Sequence, residues 1–276
     1  MRETFYSEKL KEEKSELEKS EIRKNAEKVR NFMETISGEL RKEGLPIMSD
    51  GRIDMRAFKK VYSKGEMDRD YYYIRQRENS FDEEFYLDKG LSKKEIEEEK
   101  LMAEGERFER LKTAILYKVF GEKFAVVRSS RYDDIKNGID NVIMEKETGN
   151  IVCAVDDVTA EENSEKFEEK RKRVMEKNMA GGGTLKYGIA KNKGKKCFNN
   201  IPVFWLDLSR GNLIKAEKNF NPLEKEPSDD EKELTSDFII SIKEQIEFFK
   251  KKPHLKPAFR ENLIQNEKTL EKLEKA

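Results

Sequence analysis

The chain has 276 residues, 36% of them hydrophobic and 41% charged, with 57 basic and 57 acidic side chains balancing to zero. That length buries one full core with room for an appendage, while so high a charge confines the apolar residues to part of the chain. Zero net charge implies no general attraction to polyanions, so any nucleic-acid surface must be a local patch, and a single histidine, His254, argues against histidine-rich metal centres and histidine-dependent hydrolases.

No GxSxG, GxxxxGK[ST] or strand-linked GxGxxG occurs, so hydrolase-elbow, NTPase and dinucleotide readings lack support. The first residues carry no apolar leader core, and no run approaches the roughly 18 apolar residues of a membrane span, so the expected location is cytoplasmic, with no membrane partner. Glu8 to Arg41 reads as a charged helix with a thin near-heptad of Leu10, Leu17, Ile22, Val29, Phe32 and Ile36, expected to be chiefly solvated, with a short coiled coil or an arm packed on the domain as the alternatives. Gly44-Leu45-Pro46 ends it, and Ser49-Asp50-Gly51 makes a turn. Met55 to Tyr62 reads as a brief amphipathic helix. The run Tyr71-Tyr72-Tyr73 is either half-buried between a helix and a loop or a base-stacking platform. Ser92 and Glu95 have capping-box spacing, opening a helix to Phe120 with Phe108, Leu111, Ile115 and Val119 on one stripe. Gly121 stops it, Phe124 to Arg128 is a strand, and Ser129 to Asp134 a polar loop.

Gly138 to Thr159, GIDNVIMEKETGNIVCAVDDVT, places two apolar runs around a Gly-Asn turn and sets Asp140, Asp156 and Asp157 in them. A hairpin brings all three acids to one end of the sheet. An ionised carboxylate in an apolar run costs several kcal/mol unless a cation or hydrogen bonds compensate it, which points to a divalent-metal site. The plainer alternative has Asp140 capping a turn and Asp156 or Asp157 on a solvent face. Next comes a helix from about Ala160 to Met179, with Lys170 unusually placed between Phe167 and Val174, ended by Gly181 to Gly183. Thr184 to Ala190 reads as a strand, Lys191 to Lys196 as a basic loop and Ile201 to Leu208 as another strand. Asn219 to Asp230 is linker-like. Phe238, Ile242, Ile246 and Phe249 then form a helical stripe, and a last charged helix follows Pro257; both are expected to cover a sheet edge or mediate association. Cys153 and Cys197 are expected as free thiols.

In this order, Gly105 to Lys186 resembles the PD-(D/E)XK nuclease superfamily. The resemblance implies a restriction-endonuclease-like α/β fold, an α-β-β-β-α-β core whose mixed central sheet is flanked by helices. Residues 1–91 would be a charged helical extension, 92–210 the core, and 211–276 a linker with C-terminal helices. GERFERLKTAILYKVFGEKFAVVRSS is similar to the opening of Holliday-junction resolvases of that superfamily, while DDIKNGIDNVIM and GGGTLKYG are similar to uncharacterised bacterial members and bring no activity with them.

By that resemblance Glu109 is the helix carboxylate, Asp140 the first motif aspartate, and Asp156 or Asp157 the second motif acid. Ile139 replaces the usual proline. Where the family has lysine two places after the second acid, this chain has Val158 or Thr159. Strand periodicity puts Asp157 and Thr159 on one face and favours that pairing. Lys170 is the best substitute cation and Lys186 the next. The implied activity is hydrolysis of phosphodiester bonds in DNA, with RNA the lesser possibility, using Mg²⁺ or Mn²⁺ held by Asp140 and Asp157 with a main-chain carbonyl near Val158, Asp156 standing as the alternative acid. Glu109 would orient water and Lys170 would stabilise developing charge. Arg128, Ser129, Arg131, Lys136, Lys172 and Lys186 would contact the strand. Two rivals are a catalytically inactive nucleic-acid-binding or assembly module, and an adaptor that forms a homodimer through its helical extensions, Leu234 to Phe249 included.

Overall fold

The computed structural model describes residues 2–160, 164–190 and 194–273. Its elements are α1 (Arg2–Lys42), α2 (Lys64–Phe85), α3 (Lys93–Met102), α4 (Glu104–Phe120), β1 (Phe124–Arg128), α5 (Arg131–Asn137), β2 (Asn141–Glu145), β3 (Ile151–Val158), α6 (Glu165–Met179), β4 (Gly183–Ala190), β5 (Gly194–Ile201), β6 (Val203–Asp207), α7 (Arg210–Asn219), α8 (Asp229–Lys250) and α9 (Pro257–Leu273). A short 3-10 turn covers Met55–Phe58, in place of the amphipathic helix expected to reach Tyr62. Serines set many helix starts: Ser63, Ser92 and Ser228 each exchange hydrogen bonds with the glutamate three residues on, satisfying amides that the first helical turn leaves free.

The fold is mixed α/β. β1, β2 and β3 form an antiparallel meander, and β6 adds to β3 in parallel, giving the order β1-β2-β3-β6. The sheet buries both faces, which is why its strands read as nearly continuous apolar runs. One face packs on α1, α4, α7 and α8 through residues such as Val29, Met33, Leu111, Ile115, Val155, Leu213 and Ile242. The other, with Val127, Val142 and Ala154, packs on Val174 of α6, Leu185 and Tyr187 of β4, and the segment from Leu45 to Phe58.

Both edges of the sheet are occupied. Outside β1, Arg128 N–H donates to Gly51 O at 3.0 Å and Ile53 N–H to Arg128 O at 3.1 Å. Outside β6, the Gln245 side chain of α8 accepts from Trp205 N–H at 3.0 Å and donates to Trp205 O at 2.8 Å.

Several expectations are corrected. The helix expected from Ser92 to Phe120 is two helices, because Ala103 turns extended (φ −57°, ψ 136°) and α3 buries nothing that would hold it on the axis of α4. Ser129 to Asp134 is not all loop: Ser130 accepts from Asp133 N–H and starts α5. The last strand of the sheet is β6, since β4 pairs with β5 in a separate hairpin. Residues 194–196 of the expected basic loop belong to β5, whose exposed GKKCFNN has no apolar alternation to read, while 191–193 lie outside the described residues. The start of α6 is Glu165, and 161–163 likewise lie outside them. α1 is solvated only in part: Val29, Met33, Ile36 and Leu40 are buried and Leu17 is 73% exposed; Leu10 lies outside the residues whose side chains are described. The α8 stripe of Phe238, Ile242, Ile246 and Phe249 is buried against its own chain, which removes it as a ready face for a second copy.

The triple glycine has a geometric cause. Gly182 has φ +92°, and a Cβ there would lie 2.7 Å from Ile201 O and 2.8 Å from the Phe259 ring. Gly182→Ala is therefore expected to lower the unfolding free energy by roughly 1–3 kcal/mol in urea melts. An unchanged midpoint would contradict this placement.

Candidate functional site

The three aspartates divide between the two faces of the sheet. Successive strand residues point to opposite sides, so Asp156 faces α6 and Asp157 faces α4. Asp156, 1% exposed, pairs with Lys170 Nζ and lies 3.5 Å from Arg173 Nη2; Lys170 Nζ is also 3.9 Å from Asp140 Oδ2. Asp157 pairs instead with Lys112 of α4, a lysine with no exposed side-chain surface. Asp140 and Asp157 meet only through the main chain, where Asp157 N–H donates to Asp140 Oδ2 at 2.6 Å. The carboxylates brought together are thus Asp140 and Asp156, and the preferred pairing of Asp140 with Asp157 is corrected by the pleat.

Electrostatics mark the same place. Burial, with repulsion from Asp156 opposed by Lys170, raises the Asp140 pKa well above the ordinary carboxylate range. Burial alone would lower Lys170; attraction to Asp140 and Asp156 overrides it and holds the ammonium above its usual value. Burial raises Asp157, with Lys112 opposing. The turn before Asp140 is fixed from α6, where Lys177 Nζ donates to the carbonyls of Asn137 and Gly138. Gly138 sits at φ +56°, and a Cβ there would come within 2.9 Å of Lys177 Nζ and 3.4 Å of Asp156 Oδ2. The positive φ favours glycine there, and a side chain would have to displace the end of Lys177.

Glu109 lies close enough to Asp140 and Asp157 for its charge to raise the pKa of both, but its own oxygens are engaged elsewhere: Arg128 grips both at 2.8 Å and Arg52 adds a contact at 3.2 Å. Arg128 and Ser129, expected to touch a strand, are fully buried; Ser129 donates its hydroxyl to Ile139 O. Arg131 is held by Glu78 and Asp134. Lys186 pairs with Asp70 amid the rings of Tyr62, Tyr132 and Tyr187, far from the role of a substitute motif lysine. Lys136, above the Tyr73 ring, and Lys172 are exposed as a strand contact requires. Tyr71 and Tyr73 are half-buried in α2 and Tyr72 is 59% exposed, nearer the plain reading than the stacking one.

Sequence reasoning missed Lys112, although the signal was present: it follows Phe108 by four and precedes Ile115 by three, which sets it on the buried stripe. It also missed Thr113, whose hydroxyl accepts from Asn141 Nδ2 at 2.6 Å and ties α4 to β2.

Among the described residues no group of three or more His, Cys, Asp or Glu side chains is gathered for a metal. Asp140 and Asp156 form a pair. Beyond the ion pairs with Lys170 and Arg173, both Asp156 oxygens are buried without a well-formed hydrogen bond among the described residues, so the pair has oxygen ligands of the kind Mg²⁺ takes one or two at a time. No helix among the described residues is long and apolar enough to cross a membrane. Comparisons with protein-family profiles, curated proteins and solved structures find no match to this chain.

Proposed function

We propose that the chain is a divalent-metal-dependent phosphodiesterase acting on DNA, on the PD-(D/E)XK plan, with Asp140, Asp156 and Lys170 at its centre. The observation that carries this reading is the meeting of two buried aspartates with one lysine beneath a helix rich in basic residues. The frame supports it: a helix, a three-stranded meander, a second helix and a parallel strand follow in order, with the short α5 inserted after β1 and the β4–β5 hairpin before the last strand.

Asp140 and Asp156 would hold Mg²⁺ or Mn²⁺, which when bound lowers the pKa of water and polarises a scissile phosphate. Lys170 balances the two carboxylates and stands where an ammonium can meet charge developing on a phosphate. Exposed Arg173 on α6 supplies a phosphate contact beside it, and the exposed Arg171 and Lys172 lie further round the helix. Asp157 and Lys112 anchor the same strand to α4 from behind, which holds the Asp156 rotamer. Incubation with duplex and branched DNA is expected to give cleavage in Mg²⁺ or Mn²⁺ that Asp140→Ala and Asp156→Asn abolish. Cleavage that survives Asp140→Ala sinks the assignment.

A second reading is a member of the same plan that binds nucleic acid without cutting it. Its support is internal neutralisation: Glu109 is occupied by two arginines and Asp157 by Lys112. Salt-sensitive DNA binding with neither nicking nor a thermal shift in Mn²⁺ would favour it.

A further inference from the structure

A cleft of about 590 Å³ lies on the other side of the Glu109 arginine network, between α1, the segment Met48 to Arg56, α2, α3, α4 and α5. Its inner wall is unusual. Arg52 and Arg110 line it at 7% and 6% exposed beside the half-buried Glu106, with Arg128, 0% exposed, and the buried Glu109 behind them. Glu106 serves all three guanidiniums: Oε1 accepts from Arg110 Nη2 and Arg128 Nη2 at 2.7 Å each, and Oε2 is 3.5 Å from Arg52 Nη2. Arg110 has only one further acceptor among the described residues, Leu101 O at 3.4 Å, and its Nε is buried with no hydrogen-bond partner there. A guanidinium does not escape burial by losing its proton, so an under-partnered one calls for an anion.

We propose that this cleft binds a nucleoside monophosphate unit, its phosphate at Arg110 and its base against Tyr71. The phosphate follows from the donors, because an arginine fork matches phosphate oxygens. The nucleoside follows from the rest of the wall, where Met55, Ile74 and Leu101 stand with the half-buried Tyr71 ring. An apolar wall with one aromatic face suits a flat base and offers a sugar phosphate little. The volume is that of a small-ligand site. Apart from Glu34, the acids at the rim are already engaged by cations: Asp54 is held by Arg56, Glu78 by Arg131, and Arg52 engages Asp50 and Asp134. Burial, with repulsion from Arg128 opposing Glu106, pulls the Arg110 pKa down, as expected where a further negative charge is wanted. The site does not depend on the phosphodiesterase reading, since none of the three residues at that centre lines it.

Two sources carry this chemistry, a free nucleotide and the 5′-phosphorylated end of a strand. The test is calorimetry and thermal shift on the full chain in EDTA, which silences any metal-dependent cleavage. The probes are AMP, GMP, CMP and UMP, their nucleosides, and one short oligonucleotide with and without a 5′-phosphate. The expected result is that a monophosphate or the 5′-phosphorylated oligonucleotide binds and its phosphate-free counterpart does not, with affinity falling about tenfold or more in Arg110→Gln and in Tyr71→Ala. Tyr71→Ala alters a partly exposed ring and keeps the test open if Arg110→Gln does not fold. Binding by free monophosphates assigns the nucleotide; binding by the phosphorylated strand alone assigns the strand end. Equal binding of nucleoside and monophosphate, binding untouched by the folded variants, or no binding by any probe overturns the proposal.

Discussion

Lys112→Met is expected to lower the unfolding free energy by roughly 3–5 kcal/mol. Neither partner of the Lys112–Asp157 pair reaches water to any extent, at 0% and 4% exposed, so removing the ammonium leaves a carboxylate buried with no countercharge. The loss is therefore larger than the net worth of the pair, and replacing both members by apolar residues, Lys112→Met with Asp157→Leu, is expected to recover most of it. Urea unfolding of the two single variants and the double variant measures the coupling directly. A cost under about 1 kcal/mol for Lys112→Met would mean that the pair is hydrated and that Asp157 is not fixed to α4.

Asp140→Asn is expected to do two opposite things. DNA cleavage should fall by at least about 100-fold, because an amide is a poor ligand for a divalent cation. Stability at pH 7 should rise by roughly 0.5–2 kcal/mol, the usual size of a gain when a strained functional residue is relieved. The direction follows from protons. Asp140 has a folded pKa raised by burial, so the folded state holds its proton more tightly than the unfolded chain does. Its favourable contribution is complete below the unfolded value of about 3.9 and is lost as pH rises through the folded one. Asparagine cannot lose a proton, and its oxygen keeps the Asp157 N–H as donor. The gap between variant and wild type should widen from acid to neutral pH. Mn²⁺ should raise the melting temperature of the wild type and not of the variant. A variant less stable than wild type at pH 7 would show that the charged carboxylate is well compensated in the absence of metal.

Much of the frame was legible because its signals are local. The Ser92–Glu95 box, the Phe108 to Ile115 stripe, the run Phe124 to Arg128 and the apolar strands around the Gly149 turn each need only a few neighbours to declare themselves. What escaped depends on partners distant in sequence. β5 has no alternation because it lies exposed on β4, and α2 shows no apolar stripe because only Met67, Asp70 and Ile74 of it are buried. The candidate site shows the same division. That Lys170 lies with Asp140 was readable from an odd lysine on an apolar face, while Asp156, the acid that joins them, stood in the sequence only as the alternative to Asp157. That Asp157 turns away depends on the pleat together with a lysine more than forty positions earlier on α4, and the capture of Glu109 depends on Arg52, which reaches it from a segment with no obvious tie to the sheet.

The hydrogen bonds along the two outer strands decide how the chain can be cut. Gly51 and Ile53 finish β1, and Gln245 finishes β6. Both come from outside residues 92–210, the stretch that on sequence grounds would be excised as a minimal core. Such a fragment would carry two bare strand margins and the apolar floor from which α1 and α8 had been lifted, the combination that makes sheets stack on one another and precipitate. The flanking segments are in this sense the walls of the sheet, and a soluble fragment has to begin before Gly51 and end after Gln245.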